Sequence, residues 1–235
     1  MAPRHGLALT LALVLCTMLV PAFAMNPTPE HGNGHEDIQI TEHEIDDYIE
    51  GNVVDIDSAH REGLPHRGVW AVVIDGKQRV VLIKRGKDTV TCPETWSIVG
   101  EHNDPGETYF EALRRGVEEE LGLTWATDVE AHWELDPRAS LLNITYWDKF
   151  RETVHRRDLQ WTMPYVVALK DDVSIEVDHR EIDDLLLMPF DGFMPWWGQH
   201  GHEICRTAKA HVAKFGGVKT RPDTPDSFAV GSIGD

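Results

Sequence analysis

The sequence predicts an α+β fold, on three observations. Residues 69–75 and 79–84 are apolar, β-branched runs on either side of Asp75-Gly76-Lys77, the signature of a hairpin. Phe110, Leu113, Val117 and Leu121 recur at helical spacing, so one buried stripe is expected on a helix following Thr108. Beyond it, residues 129–135, 141–147 and 161–169 read as further strands, and 173–177 and 185–188 as strand-like runs. A helix set among strands, without strict alternation, is the α+β pattern with a mixed sheet.

The helix is the most informative element. Thr108 with Glu111 three residues on makes a capping box, which sets where it starts. Gly122 supplies the left-handed stop. On the helical wheel Glu119 and Glu120 fall beside the apolar stripe, on a flank with Ala112 and Gly116, while Glu118 is expected to face water. Two carboxylates over small residues suit a hard divalent cation such as Mg²⁺, which takes oxygen ligands and is completed by waters and substrate phosphates. A solvated acidic face is the competing reading. Against it, Gly116 in mid-helix costs about 1 kcal/mol relative to Ala, a cost that a purely structural helix has little reason to carry.

The chain's 235 residues suffice for one sizeable domain with appendages. Forty acidic against 22 basic residues, net charge −18, argue against a nucleic-acid backbone as main partner. A small phosphorylated substrate stays compatible, because a cation supplies the local positive charge. Residues 1–24 read as a secretory signal: Arg4 is the basic region, 7–20 the apolar region and Ala22-Phe23-Ala24 the cleavage site. The apolar run is shorter than the roughly 20 residues of a membrane span, so no stable span is expected. An uncleaved anchor, or a cytosolic chain starting at Met25, are the alternatives.

Residues 25–54 read as a flexible leader with a short amphipathic helix over 40–49, 55–195 as the domain, and 196–235 as a terminal helix over 203–215 followed by a disordered tail. His31, His35 and His43 read as solvated. Cys92 and Cys205 can pair in an oxidising compartment and show no CxxC spacing. Asn143-Ile144-Thr145 is a glycosylation sequon inside an expected strand. The charged stretch 149–158, the most basic patch in the chain, reads as a solvated connection, with a face for an anionic substrate as the alternative, and Pro195-Trp196-Trp197 as the end of the domain's clear pattern.

Residues 100–123 resemble the Nudix hydrolase motif, in which a Gly is followed by Glu, then Arg-Glu, an apolar residue, Glu-Glu and Gly-apolar. Glu107, Arg115, Val117, Glu119, Glu120, Gly122 and Leu123 match at the family's spacing. Two positions depart: Glu101 stands at the motif's opening Gly, and Gly116 at the Glu after the motif Arg. The resemblance implies a Nudix α/β/α sandwich over roughly residues 55–195 and hydrolysis of a small-molecule diphosphate with Mg²⁺ or Mn²⁺. It implies Glu119 and Glu120 as metal ligands, with the Gly100 carbonyl as a further one and Glu101 or Glu181 replacing the acid missing at Gly116. Arg115 and Glu107 are expected to pair and hold loop and helix together, and Lys84 and Arg85 to touch substrate phosphates.

Upstream, residues 60–67 resemble the corresponding segment of Nudix proteins close to isopentenyl-diphosphate isomerase, and His102 sits in the loop. That branch uses a cysteine in the strand leading to the loop and a glutamate on a later strand. Their positions here are Gly100 and the acid-free Gln160-Trp161-Thr162-Met163-Pro164. Hydrolysis is therefore the expectation. The alternatives are a Nudix-fold binding or regulatory protein without turnover and, behind it, isomerase-like chemistry.

Overall fold

Strand β1 (Pro65–Ile74) is the axis of the structure, because its side chains alternate between two faces and both are buried. Val69, Ala71 and Val73 enter one apolar cluster, and Trp70, Val72 and Ile74 the other. A computed structural model describes residues 55–135, 140–147 and 155–216. The expected signal, the leader with its 40–49 helix and its histidines 31, 35 and 43, and the terminal tail lie outside the described residues.

The chain runs α1 (Ile56–Glu62), β1, β2 (Arg79–Arg85), β3 (Trp96–Ser97), β4 (Val99–His102), α2 (Tyr109–Leu121), α3 (Trp125–Asp128) and β5 (Val129–Glu134). It continues with β6 (Ser140–Trp147), β7 (His155–Leu169), β8 (Ile182–Pro189), α4 (Phe190–Gln199), a 3₁₀ turn (Gly201–Glu203) and α5 (Arg206–Gly216). The strands form one mixed sheet: β1 and β7 pair in parallel, and the remaining pairs are antiparallel. Helix α2 covers one face through Ala112, Leu113, Val117 and Leu121. On the other, α4 contributes Phe193 and Trp197, and α5 contributes Ala208 and Val212. The result is the expected three-layer arrangement.

The helix boundaries follow the sequence. Thr108 and Glu111 form the capping box, and Gly122 ends α2 at φ 62°. Asp75 Oδ1 accepts from the Lys77 and Arg79 N–H groups, which closes the hairpin. Other expectations are corrected. Phe110 is not in the buried stripe: on the first turn of α2 it is exposed, stacking on His132 at 4.9 Å and meeting Trp125 edge-on at 5.5 Å. Glu118 does not point freely to water but accepts from the Trp125 N–H at 2.8 Å.

Of the charged stretch, 149–154 lie outside the described residues, and 155–158 belong to β7 and are not a solvated connection. Arg156 is buried against Asp57 at 2.6 Å, and Asp158 is buried among histidines, so charge there marks internal pairing and not solvent. Residues 173–177 form no strand. They keep a period of two because Val173, Ile175 and Val177 pack on the core, while the Glu176 N–H donates to the end of α2 at the Leu121 carbonyl (3.0 Å). Pro195-Trp196-Trp197 lies within α4. Among the described residues no helix is long and apolar enough to cross a membrane.

Candidate active site and metal centre

Arg115 joins the loop to α2. Its Nε and an Nη donate to the two Glu107 carboxylate oxygens at 3.1 and 2.9 Å, and the same Nη reaches the His102 carbonyl at 2.6 Å. The other Nη lies 3.2 Å from Glu101 and 3.6 Å from Glu119. A planar fork held at both ends in this way fixes the loop relative to the helix. The hydrogen bond to Arg115 holds the Glu107 carboxyl below its ordinary range.

Glu120 and Glu119, adjacent in sequence, sit in different surroundings. Glu119 is largely exposed beside Arg115. Glu120 turns inward: Oε1 accepts the Gly100 N–H at 3.4 Å, and Oε2 is buried with no hydrogen-bond donor. Burial, then the charge of Glu101, pushes its carboxyl up to about 8. A buried carboxylate oxygen without a donor is costly unless a cation is present, so Glu120 fits the role of ligand. Gly100 presents its N–H here, and nothing places its carbonyl towards the acids.

The two departures from the motif meet in space. A Cβ added at Gly116 would lie 2.8 Å from the Glu101 Cβ, so the missing side chain on α2 leaves the room that Glu101 occupies from β4. Burial pushes the Glu101 carboxyl up, and Glu119 and Glu181 add to this. The charge of Glu181 also reaches Glu120, although Glu181 is exposed and its carbonyl accepts from the Gly86 N–H at 2.7 Å. The two basic candidates separate by strand alternation. Arg85 lines a cavity with its Nε on the Thr91 carbonyl (2.8 Å), whereas Lys84 lies over the Trp96 ring at 5.9 Å.

A second constellation adjoins the first through His102. His60 from α1, His66 from β1, His102 from β4 and Asp158 from β7 bring one ligand atom each within 4.8 Å of one another. His60 Nε2 and His66 Nε2 are 3.2 Å apart, and Asp158 Oδ1 lies 3.2 Å from His66 Nε2. His66 Nδ1 is 3.0 Å from the Leu64 carbonyl, an acceptor that favours the tautomer with the proton on Nδ1 and the lone pair on Nε2. Asp158 Oδ1 is buried and receives no hydrogen bond. Burial lowers His60 to about 4 and His102 to about 3, which keeps both imidazoles neutral near pH 7. Neutral imidazoles and one carboxylate, with a buried acceptor left over, fit a borderline divalent ion such as Zn²⁺, Mn²⁺ or Fe²⁺.

His66→Ala is therefore expected to weaken Mn²⁺ and Zn²⁺ binding at least about tenfold while circular dichroism stays unchanged. Calorimetric titration checks it; unchanged affinity for both ions removes His66 as a ligand. Sequence reasoning did not assemble this group. Its signals were His60 and His66 in the segment before β1, His102 in the motif loop, and an acid two residues before Gln160. They come from four separate elements, and only the sheet register joins them.

Between the two groups lies a cavity of about 90 Å³ lined by Arg85, Gly100, Glu101, His102, Asp158 and Gln160, among others. Gly100 and Gln160 leave it without a thiol or a carboxylate at those two positions.

The NUDIX domain family model matches residues 64–205. An isopentenyl-diphosphate Delta-isomerase of Haloarcula marismortui is 27% identical over 165 residues, covering 68% of this chain and 80% of that protein. The nucleoside triphosphatase NudI of Klebsiella pneumoniae subsp. pneumoniae is 32% identical over 121 residues, covering 51% of this chain and 79% of that protein. A dihydroneopterin triphosphate pyrophosphohydrolase of E. coli superposes with a TM-score of 0.44 at 14% identity, over 63% of this chain and 93% of the other. With the motif helix, its capped loop and a family match over more than half its length, the chain belongs to the Nudix family.

Proposed function

We propose that this chain is a divalent-metal-dependent hydrolase of a diphosphate linkage in a small molecule. The observation that carries the reading is the packing of Glu101 into the gap over Gly116, which returns an acid to the neighbourhood of Glu120 despite the altered motif. When bound, Mg²⁺ or Mn²⁺ supplies positive charge against the diphosphate oxygens and eases attack by water on phosphorus. Glu120 and Glu101, with Glu119 and Glu181 contributing negative charge, would hold the cation. Arg85 at the cavity wall would orient a phosphate, and Arg115 with Glu107 would keep the loop registered on α2. The histidine group would hold a second ion of softer preference at the opposite side of the cavity. Export through residues 1–24 belongs to the same proposal, and a Cys92–Cys205 disulfide accords with an oxidising compartment.

Isomerase chemistry is the second reading, favoured by the isomerase-named relative and the histidine group. It lacks proton-transfer groups at Gly100 and Gln160. One experiment separates the readings: incubate the chain with Mg²⁺ or Mn²⁺ and a panel of nucleoside, sugar-nucleotide and isoprenoid diphosphates. Metal-dependent release of a phosphorylated product is the expected result. Double-bond migration in isopentenyl diphosphate without such release would replace hydrolysis by isomerisation, and metal-dependent binding with neither product would leave a binding protein.

A further inference from the structure

The family match ends at Cys205, yet the next helix completes the cavity. Thr207, Ala208 and His211 of α5 line it together with Glu101 and His102. Helix α5 is tied to the domain at its start. Cys205 is bonded to Cys92 in the loop after β2, its N–H donates to the Trp96 carbonyl at 2.9 Å, and Ile204 bridges Trp96. Farther along, His211 stacks on Trp70 at 5.2 Å.

The loop end of this tie is held in an unfavourable backbone. Cys92 and Glu94 have φ of 51° and 60°, the left-handed region that non-glycine residues rarely occupy without surrounding constraint. Thr91, next to Cys92, also lines the cavity. One covalent bond therefore fixes two wall segments at once. With both in place, the cavity's 90 Å³ is well below the roughly 300 Å³ at which pockets begin to enclose drug-sized molecules. The enclosed space is of the size of a phosphate head with its ions.

We propose that α5 is a substrate-selecting wall of this cavity, held closed by the Cys92–Cys205 disulfide, so that breaking the bond widens the range of diphosphates the site accepts. This rests on the diphosphate reading above. A dithiol breaks the bond by supplying two electrons and two protons: Cys92 and Cys205 become thiols, and the dithiol closes to its own disulfide. Loop 91–94 can then leave its left-handed turns, and α5 is tethered only by non-covalent contacts.

The test compares the full chain under non-reducing conditions, after dithiothreitol and desalting without air, and as Cys92→Ala/Cys205→Ala. Calorimetry with Mn²⁺ measures methylenediphosphonate, which is small, and α,β-methylene-ADP, which carries a nucleoside; neither has a cleavable P–O–P bridge. The non-reduced chain is expected to prefer the small analogue at least about tenfold, and both disulfide-free forms to narrow that preference to within about threefold. With the disulfide intact, Thr207→Phe pushes bulk into the cavity and is expected to weaken methylenediphosphonate about tenfold. An unchanged preference on breaking the bond, unfolding of both disulfide-free forms, unchanged binding in Thr207→Phe, or free thiols at Cys92 and Cys205 in the non-reduced chain by mass spectrometry would each overturn the wall. Binding of neither analogue to the non-reduced chain removes the diphosphate reading itself.

Discussion

Glu120→Gln is expected to lower metal-dependent turnover roughly a hundredfold or more while raising the stability of the metal-free chain. The amide keeps the side chain's size and an oxygen to accept the Gly100 N–H. It removes a carboxyl that is buried with one oxygen lacking a donor and that must hold a proton to stay there. The pH dependence follows with its sign. Burial raises the carboxyl from an ordinary 4.5 to about 8, so between those values the folded metal-free chain holds a proton that the unfolded chain has lost. That stabilisation is complete below pH 4.5 and is lost as pH rises through 8, amounting to a few kcal/mol at most. Neutral His60 and His102 act in the opposite sense up to their ordinary 6.5, so thermal unfolding in EDTA should show the parent losing stability from about pH 6.5 to 8. Mn²⁺ should offset that loss in the parent, and the Gln variant should lack the slope. A variant as active as the parent, or with the same slope in EDTA, would mean that Glu120 is neither a ligand nor an uncompensated buried acid.

Gly116→Glu alone is expected to destabilise the chain by about 1–3 kcal/mol and to add no activity, although it restores the family's usual residue. The new Cβ would stand 2.8 Å from the Glu101 Cβ, and a second carboxylate would enter a group already raised by its neighbours. Glu101→Gly should reduce turnover roughly tenfold or more, because it removes the acid that fills the gap. The exchange of both, Glu101→Gly/Gly116→Glu, relieves the clash and returns a carboxylate to the same region from the helix side. It should recover most of the activity and stability lost in either single variant, the non-additivity expected of residues in contact. Kinetics and denaturant unfolding of the three variants decide it. Single effects that simply add in the double variant would show that the two positions do not substitute for one another.

Local rules were legible in the sequence where one element carried them alone. The capping box at Thr108, the stop at Gly122 and the Asp75 hairpin are interactions between residues two to four apart, and each formed as expected. Arg115 with Glu107 followed from the motif and pairs as expected. The misses involve distant partners. Arg156 and Asp158 resemble a solvated charged run until β7 is paired and their partners prove to be Asp57 and three histidines. Residues 173–177 alternate like a strand because alternation records a buried face, and no ladder partner is required for that. Phe110 sits at helical spacing with the core, but on the first turn of α2 the sheet edge leaves it to Trp125 and His132.

The parallel register of β1 with β7 bears on how the chain is made. Ile74 lies opposite Ala168, roughly ninety residues later, and every residue of β1 has its partner in β7. During synthesis at about 5–20 residues per second, β1 waits on the order of 5–20 s before that partner exists. Through this interval it is an apolar edge with both faces meant for burial, the kind of strand that pairs with the wrong chain. Chaperone binding to nascent chains should therefore persist until β7 emerges, and fragments ending before residue 155 should be insoluble even though they contain the whole motif helix.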